Sequence, residues 1–369
     1  MTQAEDNGKE EKGTHIQRVK TLLTSLVLGA NLVMLCSLWL CCASTWVNPA
    51  VHSRVAVIGL GFPVALLLNL VFIPLWLIYK PRMVLVPIVG MALCGGFILD
   101  YFPLHRKGNV ADGDLKVLSW NAYNPATYSP DSLVVMMKYI EESDADIICL
   151  QEISYNRDSY APLREAMQAK GYYMEAESQR VLLSRYPILG WSKIEAESVK
   201  RNNTIAFEIL MEGDTVSVLN AHLECYHFTD ADKNDYKGVL QTPEKEMVET
   251  EARYLLGKLS TASRYRAYQV QALVEFMDSL PATRPILLCG DFNDTPISYA
   301  YQTINKHLTS AFRESGRGVG VSYTEKIFPV RIDHIFHSKE WEGVYTQIDY
   351  SVGASDHYPI VATLRKRQK

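Results

Sequence analysis

Eight polar residues of this chain stand at the ends of short apolar runs. Asn121 closes VLSWN, Glu152 follows IICLQ and His222 closes SVLNAH. Asp291 and Asn293 follow ILLCG, Asp333 ends RID, and Asp356 with His357 comes just before YPIVATL. A single such residue means little: a glutamate after a strand is usually a surface or cap residue, and a lone histidine is usually structural. Half-buried carboxylates, however, are costly unless paired or metal-bound. Four carboxylates, two histidines and two carboxamides in the same kind of place form the set that metal-assisted hydrolysis of a phosphate ester requires. A hard cation such as Mg2+ takes oxygen ligands and keeps several waters, and Mn2+ accepts similar donors. Glu152 and Asp356 offer carboxylates to the ion, and Asn121 a neutral oxygen. Asp291 can take a proton from the attacking water, with Asn293 holding that water or a phosphate oxygen. His222 and His357 can donate to phosphoryl oxygens as charge builds. Asp333 can fix a histidine ring through its other nitrogen.

The stretch PILLCGDFNDTP, residues 285 to 296, shows how such a site is positioned. Ile286 to Cys289 is too short for a helix and reads as a buried strand. Gly290 permits a sharp turn at its end. Asp291, Asn293 and Asp294 then fall on the following loop, where Asp294 reads as a turn or cap residue.

From Leu115 onward strands alternate with amphipathic helices. Strands are predicted over 115–120, 146–150 and 181–184. Helices are predicted over 131–142, with Leu133, Val134, Met137 and Ile140 on one face, and over 161–170, closed by Gly171. Strands over 205–211 and 216–222 form a hairpin through Glu212-Gly213-Asp214. Residues 224 to 260 read as a long charged loop with a helix near its end, followed by a helix over 262–280. Closing strands are predicted over 330–336 and 360–364. The whole of 114–369 suits one catalytic domain of about 250 residues.

The first third is different. After a polar, charged tail over residues 1–20, uncharged apolar runs cover 21–43, 55–79 and 83–99. They are predicted to be transmembrane helices in a lipid bilayer, the third, shorter and glycine-rich, being alternatively re-entrant, with 101–113 as a linker. Lys9, Lys12, Arg18 and Lys20 precede the first helix, and Lys80 and Arg82 lie between the second and third. Arg54, Arg106 and Lys107 are left for the other face. The excess of positive charge places the N-terminus inside and everything after residue 105 outside the cytoplasm.

Charge narrows the partners. Residues 101–369 hold 30 Lys+Arg against 36 Asp+Glu. That balance argues against a sequence-blind nucleic-acid binder, which needs a basic surface. Arg253, Lys258, Arg264 and Arg266 offer local cations to a phosphate, although a solvated helix of mixed charge is the favoured reading of that segment. No Cys/His spacing among the seven cysteines suggests zinc.

NAYNP, LQE, NAHLE, GDFND, RIDHIF and SDHYPI, in this order, resemble the successive motifs of the endonuclease/exonuclease/phosphatase superfamily over residues 114–366. The resemblance implies a four-layer α/β sandwich, two mixed sheets packed face to face with helices outside. It implies Glu152 and Asn121 at the metal, with Asp356 as a further ligand. Asp291 matches the water-activating aspartate with Asn293 beside it, His222 and His357 the phosphate-facing histidines, and Asp333 the residue orienting His357. The apolar segments ahead of this domain look like those of membrane-anchored members in Bacteroidetes-type bacteria. The segment after the His222 motif departs from the pattern as an insertion that overhangs the site.

Overall fold

A computed structural model describes residues 2–123, 130–154, 158–196, 199–227, 245–324 and 329–367. The chain divides into two compact units.

The first unit comprises 1–43 and 60–96. Helix α1 runs Thr2–Ser44. After the short α2 (Pro49–Ala56), α3 runs Phe62–Tyr79 and α4 Leu85–Ala92. Within this unit buried polar side chains join the helices. Trp76 Nε1 donates to Asn31 Oδ1 at 3.0 Å, and Asn69 Nδ2 to the Met34 carbonyl at 2.9 Å. Such bonds link apolar helices where no water competes. Outward faces are apolar, with Ile78 87 % exposed.

Two helical stretches, Gln17–Ser44 and Pro49–Tyr79, are long and apolar enough to cross a membrane. The third predicted span is not one helix. Pro81–Ala92 and α5 (Gly95–Tyr101) meet at 69°. Gly95 and Gly96 sit at this break, where the helix is cheapest to interrupt.

The second unit comprises 44–59 and 97–369. Among the described residues, twelve strands form two six-stranded sheets. The first contains β1 (Leu115–Asn121), β2 (Ile147–Gln151), β3 (Tyr173–Glu177), β4 (Arg180–Ser184), β11 (Trp341–Ile348) and β12 (Ile360–Lys366), in the order β11-β12-β1-β2-β4-β3. The second contains β5 (Ile188–Ala196), β6 (Val199–Met211), β7 (Asp214–His222), β8 (Ile286–Asp291), β9 (Thr309–Ser310) and β10 (Asp333–His337), in the order β5-β6-β7-β8-β10-β9. Each sheet has one parallel pair, β1·β2 and β7·β8; the other pairings are antiparallel. A parallel pair needs a crossover. Helices α6 (Pro130–Ser143) and α8 (Lys245–Ser279) lie within the two crossovers.

Three cores make four layers. Val117, Cys149, Phe207, Val218, Leu287 and Ile335 pack between the sheets. Leu118, Leu150, Met136, Ile140, Leu163 and Met167 pack α6 and α7 (Ala161–Ala169) on the first sheet. Leu219, Leu288, Val270, Leu273 and Ile304 pack α8 and α9 (Tyr299–Ile304) on the second. The predicted sandwich of mixed sheets is therefore present.

Details differ from the sequence reading. On α6, Val134 is exposed and Met136 takes its buried place. The face is 133/136/137/140, which still follows the helical repeat. Helix α8 begins at Lys245, far ahead of the predicted 262. Residues 228–244 of the predicted charged loop, and Asn124 and Pro125 of NAYNP, lie outside the described residues.

Segment 44–59 belongs to this unit because α2 packs on α8. A Cβ on Gly59 would lie 2.3 Å from the Ile297 carbonyl oxygen, so the two backbones touch. Asp100, at the end of α5, is also buried here. Its carboxylate accepts from Arg313 and from Gln302 Nε2, and its carbonyl from Arg331.

Candidate active site

The carboxyl ends of the two parallel pairs meet at one place. Asn121 ends β1, Glu152 follows β2, His222 ends β7 and Asp291 ends β8. Ligand sites of α/β folds form at the carboxyl ends of parallel strands for this reason. Asp333 starts β10 opposite Asp291, and His357 stands just ahead of β12.

Local backbone aims these side chains. Gly290 has φ 146°, and a Cβ there would lie 1.9 Å from the Ala221 carbonyl oxygen. No other residue fits without separating β7 from β8. Glu152 (φ 60°) and Asn293 (φ 51°) are left-handed. Asparagine tolerates that region, whereas for glutamate it costs about 1–2 kcal/mol, a strain of the kind held at functional sites.

Four side chains converge on one oxygen, Asp291 Oδ2. Asn121 Nδ2 lies at 3.0 Å, Asn293 Nδ2 at 3.3 Å, and His222 Nε2 and His357 Nε2 each at 3.8 Å. Glu152 Oε1 lies 2.9 Å from the same Asn121 nitrogen and 3.4 Å from His222 Nε2. His357 Nδ1 bonds Asp333 Oδ2 at 2.8 Å, which leaves Nε2 facing the centre. Asn293 is held by its backbone N–H on Asp291 Oδ1 (2.7 Å) and its amide on the Leu223 carbonyl (3.0 Å).

Electrostatics separate the roles open to these groups. Burial raises Asp291 to about 7, and Asp333 adds to the rise while His357 opposes it. Burial alone would lower His357, but Asp333 and Asp291 outweigh it and raise the ring to about 10. Burial, helped by the Arg180 and His357 charges, pushes His222 well below the usual histidine range. Near neutrality one ring is a cation, the other a neutral donor, and the carboxylate between them is poised to exchange a proton.

Two predicted residues sit differently from expectation. Asn121 turns its amide nitrogen to the carboxylates, and its Oδ1 accepts from the Tyr123 N–H at 3.0 Å. In this arrangement it serves Glu152 and Asp291 as a donor. Asp356 lies beside Ser355 Oγ (3.3 Å), and its carbonyl accepts from Thr324. Among the described residues, the group whose ligand atoms lie within 4.8 Å of one another is Asp291, Asp333 and His357. The carboxylate oxygens of Glu152, Asp291 and Asp333 fit a hard cation, whereas the His357 ring, charged near neutrality, does not act as a ligand. The Glu152 side chain is 26 % exposed, and Asp333 Oδ1 lacks a hydrogen-bond partner among the described residues.

Some residues of the site escaped the sequence reading. Gln151 Nε2 donates across the sheets to Asn220 Oδ1 at 2.8 Å, making a polar floor. Ser355 Oγ donates to the Asn121 carbonyl (2.8 Å) and accepts from the His357 N–H (3.1 Å). Arg180 is buried opposite Gln151 in the strand register, and its Nε lacks a partner among the described residues. Burial lowers it to about 10, against the pull of Glu152 and Asp291. Alternation could have revealed it: Arg180 shares the parity of Leu182, which faces the inter-sheet core. Arg266, read as a cation on a mixed-charge helix, is fully buried. Its Nε donates to Asp294 Oδ2 at 3.0 Å and an NH group to the Glu224 carbonyl at 2.8 Å. Asp294 thus anchors α8 to the loop after β8.

Comparison with known proteins agrees with this geometry. Residues 118–357 match the Endonuclease/Exonuclease/phosphatase family, and residues 24–101 match a domain of unknown function, DUF8431. A protein of Bacillus subtilis (strain 168) named Exodeoxyribonuclease is 24 % identical over 246 residues, 66 % of this chain and 83 % of its own length. The solved structure of D. rerio TDP2 complexed with single strand DNA product has a TM-score of 0.50 at 16 % identity. It covers 69 % of this chain and 100 % of that one, a likeness of fold. Sphingomyelinase C from Streptomyces griseocarneus is 16 % identical, with a TM-score of 0.49 over 68 % of this chain and 99 % of that one. With the motifs in order, the strand ends converging and the family matched over most of its length, this chain belongs to the endonuclease/exonuclease/phosphatase family and is a hydrolase acting on phosphate esters.

Proposed function

We propose that the protein is a membrane-anchored, Mg2+-dependent phosphodiesterase or phosphatase in which Asp291 activates the attacking water. The observation that carries this is the convergence of Asn121, Asn293, His222 and His357 on Asp291 Oδ2. Glu152 would hold the ion, with Asn121 beside it and Asp356 as a further candidate. When bound, the ion polarises the phosphoryl group and neutralises developing charge. Asp291 accepts the proton of the water. Asn293 holds that water or a phosphoryl oxygen. His357, fixed by Asp333, and His222 donate to the phosphoryl oxygens as they gain charge.

A panel of DNA, RNA, sphingomyelin, an inositol phosphate and a generic diester tests the reading. Turnover of at least one is expected with Mg2+, loss in EDTA, and recovery on adding Mg2+ or Mn2+. Turnover indifferent to EDTA, or none on any member, sinks it. DNA belongs in the panel because of the relative named Exodeoxyribonuclease. The acidic balance of residues 101–369 favours the other esters.

The anchor is proposed to cross the bilayer three times. That segment 44–59 and the chain from Phe97 belong to one compact unit supports a single side of the membrane for both. In this reading α3 leaves that side and the bent segment 81–101 returns to it as a broken span. Positive charge at residues 9–20 and 80–82 puts the catalytic domain on the extracytoplasmic face. Alkaline phosphatase fused after Lys369 should be active in whole cells, and the same reporter after Arg82 inactive. The reverse pattern overturns the orientation.

A further inference from the structure

Asp100 stands at the end of α5, inside the stretch matched by the domain of unknown function and outside residues 118–357. It belongs nonetheless to the second compact unit, where it is 2 % exposed. Its carboxylate accepts from Arg313 of α10 (Ala311–Ser315) and from Gln302 Nε2, the latter at 2.8 Å. The chain just beyond it is strapped along the same region. The Gly318 N–H donates to the Pro103 carbonyl at 2.8 Å, and the His105 N–H to the Gly316 carbonyl at 3.2 Å. Fixed in this way, Asp100 turns its own backbone carbonyl to the guanidinium of Arg331.

Arg331 is buried as well. Its guanidinium also donates to the Val319 carbonyl at 2.6 Å and lies over the Phe312 ring at 3.9 Å. Gly318 (φ 79°) and Gly320 (φ 64°) flank Val319, so the turn that offers this carbonyl uses backbone that glycine adopts freely. Taking a charge out of water offsets much of what such contacts return in stability. What they fix is position, and the residues that follow Arg331 are those of the site. The Ile332 and Asp333 N–H groups both donate to Ser322 Oγ, at 3.0 and 3.1 Å. The Ile332 carbonyl accepts from the N–H of Phe292, which stands between Asp291 and Asn293, at 2.9 Å. Asp333 then holds His357 Nδ1 at 2.8 Å.

We propose that Asp100 is a positioning residue of the active site: by holding Arg331 it sets the segment Ile332–Asp333 and, through it, the ring of His357. The apolar segment ahead of the catalytic domain then ends in a working part of that domain and is more than a tether. This rests on the phosphoesterase reading, in which His357 faces the phosphoryl oxygens.

Asp100→Asn and Asp100→Ala are made in the full-length protein in detergent. Asparagine is nearly isosteric but can accept from Arg313 or Gln302 and not from both; alanine accepts from neither. Amide hydrogen exchange followed by mass spectrometry should speed up about tenfold or more in peptides covering 330–336 and 290–296, and stay as in the wild type in one covering 147–151 of β2. With a generic diester and Mg2+, kcat should fall about 10–10²-fold, the range for a small misplacement of a reacting group, with KM nearly unchanged. In a His357→Gln background the same substitutions should cost less than about twofold further, because the ring they misplace is gone. A general loosening of the fold would multiply the two losses instead. Lys138→Ala, on an exposed side chain of α6, should match the wild type throughout. Unchanged exchange in the folded Asp100 variants, unchanged kcat, or losses that multiply with His357→Gln overturn the proposal. Exchange does not depend on turnover, so failure of the phosphoesterase reading appears separately, as no turnover by the wild type.

Discussion

Asp291→Asn is expected to lower kcat by roughly 10³-fold, within the range for loss of a general base. The change is nearly isosteric, and the side chain can still accept the 2.7 Å bond from the Asn293 N–H. It cannot accept a proton from water. The 3.0 Å bond from Asn121 Nδ2 also goes, because two amide nitrogens then face each other. That loss, about 1 kcal/mol, is opposed by removal of a carboxylate whose burial already raises it to about 7. Stability should therefore hold while activity collapses. Measured kcat with a generic diester, alongside Tm, decides it: near-wild-type turnover in a folded Asp291→Asn protein removes Asp291 from the proposed role.

His357→Gln carries the second large effect, a fall of about 10²–10³-fold. Its pH profile is more telling than its size. In the wild type, kcat/KM should rise as Asp291 loses its proton through about 7 and fall as His357 loses its own through about 10. These values belong to the interacting group as a whole. Glutamine does not titrate, so the alkaline limb should vanish. The acid limb should move to higher pH, because the His357 charge holds Asp291 down. The sign for stability follows the same shift. A histidine raised from its ordinary 6.5 to about 10 contributes stability that is complete below about 6.5 and is lost as pH rises through about 10. Unfolding of the wild type should thus become easier between those values, and that of His357→Gln should not show this dependence. An alkaline limb retained in the variant would show that another group governs it.

The strand ends were legible because each joins an apolar run to a residue that is costly to bury. Residues such as Asp291 and His222 are visible in one dimension for that reason. Their mutual distances were not, since the two sheets supply them from segments far apart in the chain. Gln151 and Asn220 were missed because an amide inside an apolar strand looks like a weak strand position until its partner is known. Arg180 lay one residue outside the predicted strand, so its parity with Leu182 went unused. Arg266 looked solvated because the charges around it are mixed, yet Asp294 buries it. Strands β3, β5 and β11 were not predicted. Their many exposed or half-buried positions give each only a partial apolar signal, and pairing with a neighbour defines them.

The order of the strands also sets when the enzyme can first act. β1 pairs with β2 soon after both are made, but its other neighbour is β12, in the register Leu115↔Leu364. His357 stands just ahead of β12, and its ring is oriented by Asp333 from the opposite sheet. A growing chain halted after β8 already holds Asn121, Glu152, His222 and Asp291, yet has neither the charged donor nor the strand that completes the first sheet. The apolar helices emerge before any of these. During synthesis the site is therefore complete only near the end, once the segment that carries Asp333, His357 and β12 has emerged.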